Sequence, residues 1–235
     1  MPAIRGILLD KDGTLIDFEA TWGAVALAMA REAAEGDEGL ANQYLALAGF
    51  DAQSGSFVAD SVFAAGTNED IVRLWHPTLE GAELTERISY YDAYTSTAGA
   101  AAAVPVAGVP DALSELHRLG YLLGVATNDS TDGAARTVEA LGVAGLFSAA
   151  LGYDSVENPK PAPDVVHHFA QLCGLQASEI AFVGDNGHDM AAGRAAGCGL
   201  VVGVLSGTGT RETLAPLADV ILGSVADLPD LLAGR

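Results

Sequence analysis

The predicted fold of this chain depends most on one octapeptide, Leu8-Leu9-Asp10-Lys11-Asp12-Gly13-Thr14-Leu15. The apolar residues Ile7 to Leu9 predict a short buried strand, and the Asp-Gly pair predicts the turn that ends it. In open α/β sheets, ligands bind at the carboxyl ends of the strands. Asp10 and Asp12 are therefore candidate functional carboxylates, although an Asx-turn, in which they bond only local backbone amides, would explain the same residues.

The composition narrows the class of protein. A chain of 235 residues, half of them apolar, has length for one large domain or two small ones. Its apolar runs are too short for a membrane span, and Met1 leads straight into the first strand without the pattern of a secretion signal. Cys173 and Cys198 lie among apolar or small residues, which favours buried thiols in a reducing compartment. We expect a cytoplasmic protein.

The charge balance limits the partners. The formal net charge is −20, so the chain repels nucleic-acid backbones and anionic membranes, and neither is expected as a partner. An anionic substrate would have to be attracted locally by a metal ion or by a few well-placed cations. The sequence has two lysines, Lys11 and Lys160, and each is therefore informative.

Residues 18–103 have a helical texture without strand-like β-branched runs. We interpret this segment as an all-helical inserted domain of ordinary size. A loop with room for a short helix runs from Gly49 to Gly66, and the helical pattern is broken at His76-Pro77 and at Gly81. Its predicted helices carry apolar residues at helical spacing: Trp22, Val25, Ala26 and Met29, then Leu40, Tyr44 and Leu47, then the stretches Asn68–Trp75 and Leu84–Ala103.

From Val104 onward, strands and helices alternate. This pattern predicts right-handed βαβ units and a parallel sheet, that is, an α/β Rossmann-like core built from residues 1–17 and 104–235. The predicted strands are Leu122–Ala126, Phe147–Leu151, Ile180–Val183, Leu200–Val204 and Val220–Leu222, and the predicted helices are Pro110–Leu119, Thr131–Leu141, Pro163–Cys173, Asp189–Ala196 and Leu228–Leu232.

Polar residues follow these strands at the edge where a ligand would bind. Four carboxylates, one threonine and one lysine would meet there, and like charges so close raise one another's pKa. A hard divalent cation resolves the repulsion, and an oxygen-only ligand set suits Mg²⁺. His188 has no partner at zinc spacing, so we expect it at a helix cap or on the surface. The six converging residues are Asp10, Asp12, Thr127, Lys160, Asp185 and Asp189.

The motifs, taken in order, resemble those of the haloacid dehalogenase superfamily of aspartate-nucleophile phosphotransferases, and the resemblance covers nearly the whole chain. The helical insertion is similar to the family's C1 cap, and Leu15-Ile16-Asp17 resembles the phosphoglycolate phosphatase-like subgroup. The four motifs are Asp10-Lys11-Asp12-Gly13-Thr14, Thr127-Asn128, Lys160-Pro161, and Gly184-Asp185 with Asp189.

The resemblance implies distinct roles for the two aspartates of the octapeptide. Asp10 would attack the phosphorus of a phosphate monoester and form an aspartyl-phosphate. Asp12 would protonate the leaving alcohol and then take a proton from the hydrolytic water. Mg²⁺ would be held by Asp10, by the backbone carbonyl of Asp12 and by Asp185, and would offset the charge of the phosphoryl group.

The resemblance also assigns the phosphate-binding residues. Thr127 and the amide groups around Asn128 would bind phosphoryl oxygens, and Lys160 would place its charge on both nucleophile and phosphate. Thr127 and Lys160 thus join the catalytic set, and Asp189 would steady Lys160, although its position also suits a helix N-cap. The implied substrate is a small phosphorylated metabolite, with phosphoglycolate as the leading candidate, and the chain would act as a monomer or homodimer.

Two residues depart from the family pattern. Lys11 stands where capped members carry an apolar residue, and Asp129 stands where many phosphoglycolate phosphatases carry a lysine.

Asp12 argues against dehalogenase chemistry, and the absence of a lysine from residues 18–103 argues against a phosphonatase. A sugar phosphomutase of the β-phosphoglucomutase type stays open. A receiver domain would be shorter, and the intact Asp10/Asp12 pair argues against a phosphate-binding pseudo-enzyme. Arg31, Arg73 and Arg87 are candidate anchors for a substrate carboxylate or a second phosphate.

Overall fold

A computed structural model describes residues 3–234 and shows a six-stranded parallel sheet at the centre of the folded protein. The sheet order is β5-β4-β1-β6-β7-β8, so the first strand lies in the middle, between two strands from far along the sequence. The strands are β1 Gly6–Leu9, β2 Phe50–Asp51, β3 Ser56–Phe57, β4 Leu122–Ala126, β5 Phe147–Leu151, β6 Ile180–Gly184, β7 Leu200–Val204 and β8 Val220–Leu222.

Helices cover both faces of this sheet and build the insertion between β1 and β4. They are α1 Phe18–Ala33, α2 Glu38–Leu47, α3 Val62–Ala65, α4 Asn68–Trp75, α5 Gly81–Ala102, α6 Val109–Arg118, α7 Thr131–Ala140, α8 Asp164–Cys173, α9 Gly187–Ala196, α10 Arg211–Leu214 and α11 Leu228–Ala233. The predicted α/β Rossmann-like parallel-sheet core is therefore confirmed.

The alternation of side chains along β1 explains why the core has two layers. All four residues of the strand are buried, and successive side chains of a strand point to opposite faces. Ile7 and Leu9 pack with residues of α6, α7 and α11, whereas Leu8 packs with Phe169 of α8 and Ala192 of α9. A strand covered on both faces reads as a continuous apolar run, which is the pattern that predicted it.

The insertion has an apolar core of its own, formed entirely by residues between Phe18 and Ala102. Trp22, Met29, Trp75 and Tyr91 are buried there. The segment departs from the all-helical prediction in one place, because β2 and β3 form a small antiparallel ladder inside the predicted loop. Two-residue strands carry no periodicity that a sequence could reveal.

Three local predictions need correction. Leu47 was expected on the buried face of its helix but is 58% exposed, because α2 instead buries Ala41 and Leu45. Gly81 was expected as a break but is the first residue of α5, whose polar first turn carries no apolar signal. Cys173 and Cys198 are free and half-buried rather than buried.

Within residues 3–234, no helix combines the length and the apolar character that crossing a membrane requires.

Candidate active site

The three central strands deliver their polar residues to one edge of the sheet. β1 runs parallel to both β4 and β6, and Leu9 is paired with Val125 on one side and Val183 on the other. The residues just beyond these strand ends must then lie side by side. Asp10 follows β1 and Thr127 follows β4, while Asp185 follows β6, and all three are at least 97% buried.

Lys160 reaches this edge from the loop before α8 and is 4% exposed. Its Nζ lies 2.6 Å from Asp10 Oδ1 and 2.7 Å from Asp189 Oδ1, and it donates to the Ala126 carbonyl at 2.9 Å. Burial disfavours the ammonium, but Asp10 and Asp189 outweigh it and raise the pKa of Lys160. The lysine therefore stays charged and uses three donors to fix the strand edge.

Three buried aspartates form a group suited to a metal ion. One carboxylate oxygen from each of Asp10, Asp185 and Asp189 lies within 4.8 Å of the others. Oδ2 of Asp10 and Oδ1 of Asp185 are buried without a hydrogen-bond partner, which is costly for a carboxylate unless a cation completes the site. Both oxygens of Asp189 are engaged, by Lys160 and by the backbone N–H of Asn186. The donor set fits a hard divalent cation held mainly by Asp10 and Asp185.

The pKa values of Asp10 and Asp185 are both raised, which fits a site that a cation would complete. Burial, reinforced by Asp189 and Asp12 and opposed by Lys160, raises the pKa of Asp10 to about 7. Burial, followed by the charges of Asp10 and Asp189, raises the pKa of Asp185 well above its ordinary value. Two strongly shifted carboxyl groups in one buried cluster mark a candidate functional site.

The loop after β7 closes over Asp185, and its residues are not among those predicted for the site from the sequence. Thr208 donates its backbone N–H to Asp185 Oδ2 at 2.7 Å, and the Ser206 hydroxyl donates to the Gly13 carbonyl at 2.7 Å. A Cβ on Gly207 would overlap the Asp185 carboxylate, so glycine is required by the close approach. The signal was available: Ser206-Gly207-Thr208-Gly209 follows a predicted strand at the same sheet edge.

The second motif connects the core to the insertion. Asn128 accepts the Lys160 backbone N–H at 3.1 Å and donates to the Lys160 carbonyl at 2.9 Å and to the Ala65 carbonyl at 2.8 Å. Its side chain is thus occupied, and its backbone N–H is the group it can offer to a phosphate. The buried Thr127 hydroxyl accepts the backbone N–H of Asp129 at 3.0 Å and lines the cleft beside Asn128.

His188 lies at the start of α9, next to the site but outside the aspartate group. Its Nδ1 is 3.1 Å from the Ala65 carbonyl, the same acceptor that Asn128 uses. Asn186, the N-cap of α9, accepts the backbone N–H groups of His188 and Asp189. His188 therefore connects the core to α3.

Asp12 lies at the mouth of the site and is tied to both parts of the molecule. Its carboxylate is 2.9 Å from Nζ of Lys11 and accepts the indole N–H of Trp22, in α1, at 2.5 Å. Lys11 is 0% exposed and also lies 3.0 Å from Asp129. In the sequence, Lys11 and Asp129 are two unrelated departures from the family pattern, whereas in the structure they form an ion pair.

A cleft opens above Asp10, between the sheet edge and the insertion. The insertion contributes an apolar wall and a few polar side chains. None of the three arginines of the insertion lines this cleft, because each pairs with a glutamate elsewhere. The wall includes Phe18, Trp22, Phe63 and Ile71 with Thr67, Asn68 and Thr95, and the outlying pairs are Arg31–Glu38, Arg73–Glu69 and Arg87–Glu32.

Comparisons with known proteins agree with this geometry. A family model described as haloacid dehalogenase-like hydrolase matches residues 4–197. The phosphoglycolate phosphatase of Shigella boydii is 32% identical over 96% of this chain and 91% of its own length, and that of Escherichia coli is 31% identical over the same shares.

Solved structures show the same fold at lower identity. A predicted phosphoglycolate phosphatase from Haemophilus somnus superposes with a TM-score of 0.73 at 24% identity, covering 98% of this chain and 99% of its own. CbbY from Rhodobacter sphaeroides, solved with phosphate, gives a TM-score of 0.68 at 21% identity over 96% of each chain. Because the family model and relatives above 30% identity span most of its length, this chain belongs to the haloacid dehalogenase-like hydrolases.

Proposed function

We propose that this protein is a Mg²⁺-dependent phosphatase that hydrolyses a small phosphate monoester through an aspartyl-phosphate on Asp10. The observation that carries the proposal is the state of the Asp10 carboxylate. One oxygen is held by Lys160 at 2.6 Å, and the other is buried, without a partner, below the cleft. A carboxylate held in place beside a cavity, with one oxygen unengaged, suits nucleophilic attack.

The covalent steps use groups of this chain. Asp10 forms a bond to phosphorus while the ester oxygen departs, and Asp12 gives its proton to that oxygen. Water then attacks the phosphorus, the bond to Asp10 breaks, and Asp12 takes back a proton. In this proposal Lys160, Thr127 and the backbone N–H of Asn128 bind the phosphoryl oxygens.

The metal site would be completed by residues at the same edge. Asp10, Asp185 and the backbone carbonyl of Asp12 would hold Mg²⁺, and Asp189 would support Lys160. When bound, the ion would neutralise the charge that a phosphoryl group brings to a cluster of carboxylates.

The insertion is proposed as a cap that determines the substrate. Residues 18–103 would form this cap domain over a core of residues 1–17 and 104–235, and closing it would exclude water from the reaction. Phosphoglycolate is the first substrate to test, because the relatives above 30% identity are named for that activity. The apolar wall of the cleft gives a reason to test esters of uncharged alcohols beside it.

The first experiment measures phosphate release from a panel of monoesters, including phosphoglycolate, 4-nitrophenyl phosphate and uncharged alkyl phosphates. We expect Mg²⁺-dependent turnover that Asp10→Asn reduces by at least about 10³-fold, since the nucleophile itself is removed. Undiminished turnover in Asp10→Asn, or after chelation, would contradict the proposal. A requirement for a bisphosphate activator would identify a mutase instead.

A further inference from the structure

Lys11 is buried beside the site, yet the proposed mechanism gives it no role. Its ammonium lies 2.9 Å from Asp12, 3.0 Å from Asp129 and 4.9 Å from the centre of the Trp22 ring. Asp12 and Asp129 both line the cleft, but Lys11 lies behind them and does not. Its charge is therefore directed at the two carboxylates and not at a substrate.

Asp129 is the second carboxylate that holds Lys11, at 3.0 Å. The Oδ1 atom of Asp129 accepts the backbone N–H of Ser130 at 2.7 Å, which leaves Oδ2 for Lys11. The carboxylate packs against Gly133 in the first turn of α7, where a Cβ would overlap it. The orientation of Asp129 is thus set by the core, and Lys11 carries that constraint to Asp12.

Asp12 needs such a constraint. It follows a strand end in a turn, its side chain is 16% exposed, and its carboxylate must meet first the leaving oxygen and then a water. Lys11 and the Trp22 indole N–H both donate to Oδ1 of this carboxylate, and Lys11 also lies 2.9 Å from its Oδ2, so the two donors fix the carboxylate. Errors of about 1 Å in placing a catalytic group can cost roughly 100-fold in rate.

We propose that Lys11, itself fixed by Asp129, is a positioning residue that orients the Asp12 carboxyl towards the leaving oxygen of the substrate. The inference rests on the proposed phosphatase function. It gives one physical reason for both departures from the family pattern, because a cation at position 11 and an anion at position 129 form a single buried pair.

The leaving group supplies the test. An alkyl oxygen must be protonated as it departs, whereas 4-nitrophenolate is stable enough to leave with little help. We expect Lys11→Met to lower kcat/KM for the best alkyl phosphate of the panel by roughly 10- to 100-fold. The loss on 4-nitrophenyl phosphate should be less than about 3-fold. Asp12→Asn should show the same selectivity more strongly.

Matched variants separate positioning from stability. Leu113→Ala removes a buried side chain of the core, away from the site, and should lower Tm without changing the ratio of the two kcat/KM values. Asp129→Asn keeps Lys11 and should shift the ratio in the same direction by a smaller factor. The double variant Lys11→Met/Asp129→Asn removes one charge of each sign. It replaces the single variant in the test if Lys11→Met alone does not fold.

Equal losses on both esters, or an unchanged ratio in the Lys11 and Asp129 variants, would overturn the inference and leave Lys11 a stabilising residue. Failure of the proposed function would look different. In that case the wild-type protein would release phosphate from neither ester, or Asp10→Asn would remain active.

Discussion

At the residue scale, the acidic edge of the sheet requires close backbone approach as much as it requires charge. Asp185 is held between Gly13, which has a φ of 76°, and Gly207, and a Cβ at Gly13 would come within 2.6 Å of the carboxylate. Glycine is needed at Gly13 for both reasons, since other residues rarely adopt that conformation. The aspartate can then turn one oxygen to Thr208 and keep the other for a cation.

Gly207→Ala should therefore weaken Mg²⁺ binding. The new methyl group would overlap the Asp185 carboxylate, and forcing extra volume into a packed site costs about 1–3 kcal/mol. We expect the dissociation constant for Mg²⁺, measured by calorimetry, to rise roughly 10- to 100-fold. Gly145→Ala is the matched control, because its Cβ would meet nothing within 4 Å. Equal affinities in the two variants would show that Asp185 does not hold the ion.

The sequence predicted which residues lie together at the sheet edge better than it predicted how they pair. Asp10, Asp185 and Lys160 meet as expected, since strand ends and sheet topology determine where they lie. The pairing of Lys11 with Asp129 could not be foreseen, because no local pattern relates two residues so far apart along the chain.

At the scale of elements, α3 is a four-residue helix that depends on the core for its place. Asn128 and His188 both contact its Ala65 carbonyl, and α3 carries Phe63, part of the apolar wall of the cleft. A single turn of helix has little stability of its own, since nucleation is unfavourable. The contacts with the core therefore set where this wall lies.

His188→Ala should loosen α3 without disturbing the metal site. Losing one hydrogen bond costs about 0.5–1.5 kcal/mol, so amide exchange of residues 62–66 should accelerate by up to roughly 10-fold. We also expect KM to rise with little change in Mg²⁺ affinity. His117→Ala, at an exposed position of α6, is the control and should leave exchange in this segment unchanged. Unaltered exchange in His188→Ala would contradict the role given to this contact.

The elements themselves were largely predictable. The strand and helix ends of the core agree with the sequence pattern to within a few residues, because glycine follows most of these helices and apolar runs mark the strands. The β2–β3 ladder and α10 were missed, since two-residue strands and a single helical turn leave too short a pattern.

At the scale of the whole molecule, the buried aspartates connect the proposed metal binding to stability. The ordinary pKa of Asp10 is 3.8, and burial, aided by neighbouring carboxylates, raises it to about 7 in the folded protein. The pKa of Asp185 is raised in the same direction, also chiefly by burial. Between the ordinary and the folded-state pKa of Asp10, the folded state holds more protons than the unfolded state. The stabilisation that this proton uptake gives to the folded protein is therefore lost as the pH rises through the folded-state pKa.

The metal-free protein should therefore lose stability as the pH rises from about 4 to about 7, and Mg²⁺ should restore it. We expect the difference in Tm between the Mg²⁺-loaded and metal-free forms to be larger at about pH 8 than at about pH 5. Each change of about 1 kcal/mol in the free energy of unfolding should shift Tm by about 2–4 °C. Asp10→Asn removes one of the titrations and should flatten the metal-free profile. A metal-free wild-type profile with the same slope as that of Asp10→Asn would contradict the assignment.

The sequence by itself determined the α/β class, most element boundaries and the identity of the acidic cluster, because these depend on local periodicity, on helix and strand ends and on motifs contained in short stretches. The tertiary structure alone decided which groups pair. It placed Lys11 between Asp12 and Asp129, the Ser206–Gly209 loop against Asp185, and the arginines of the insertion away from the cleft. The physical reason is that pairing depends on distances between residues remote in sequence, which the packing of β1 between β4 and β6 establishes.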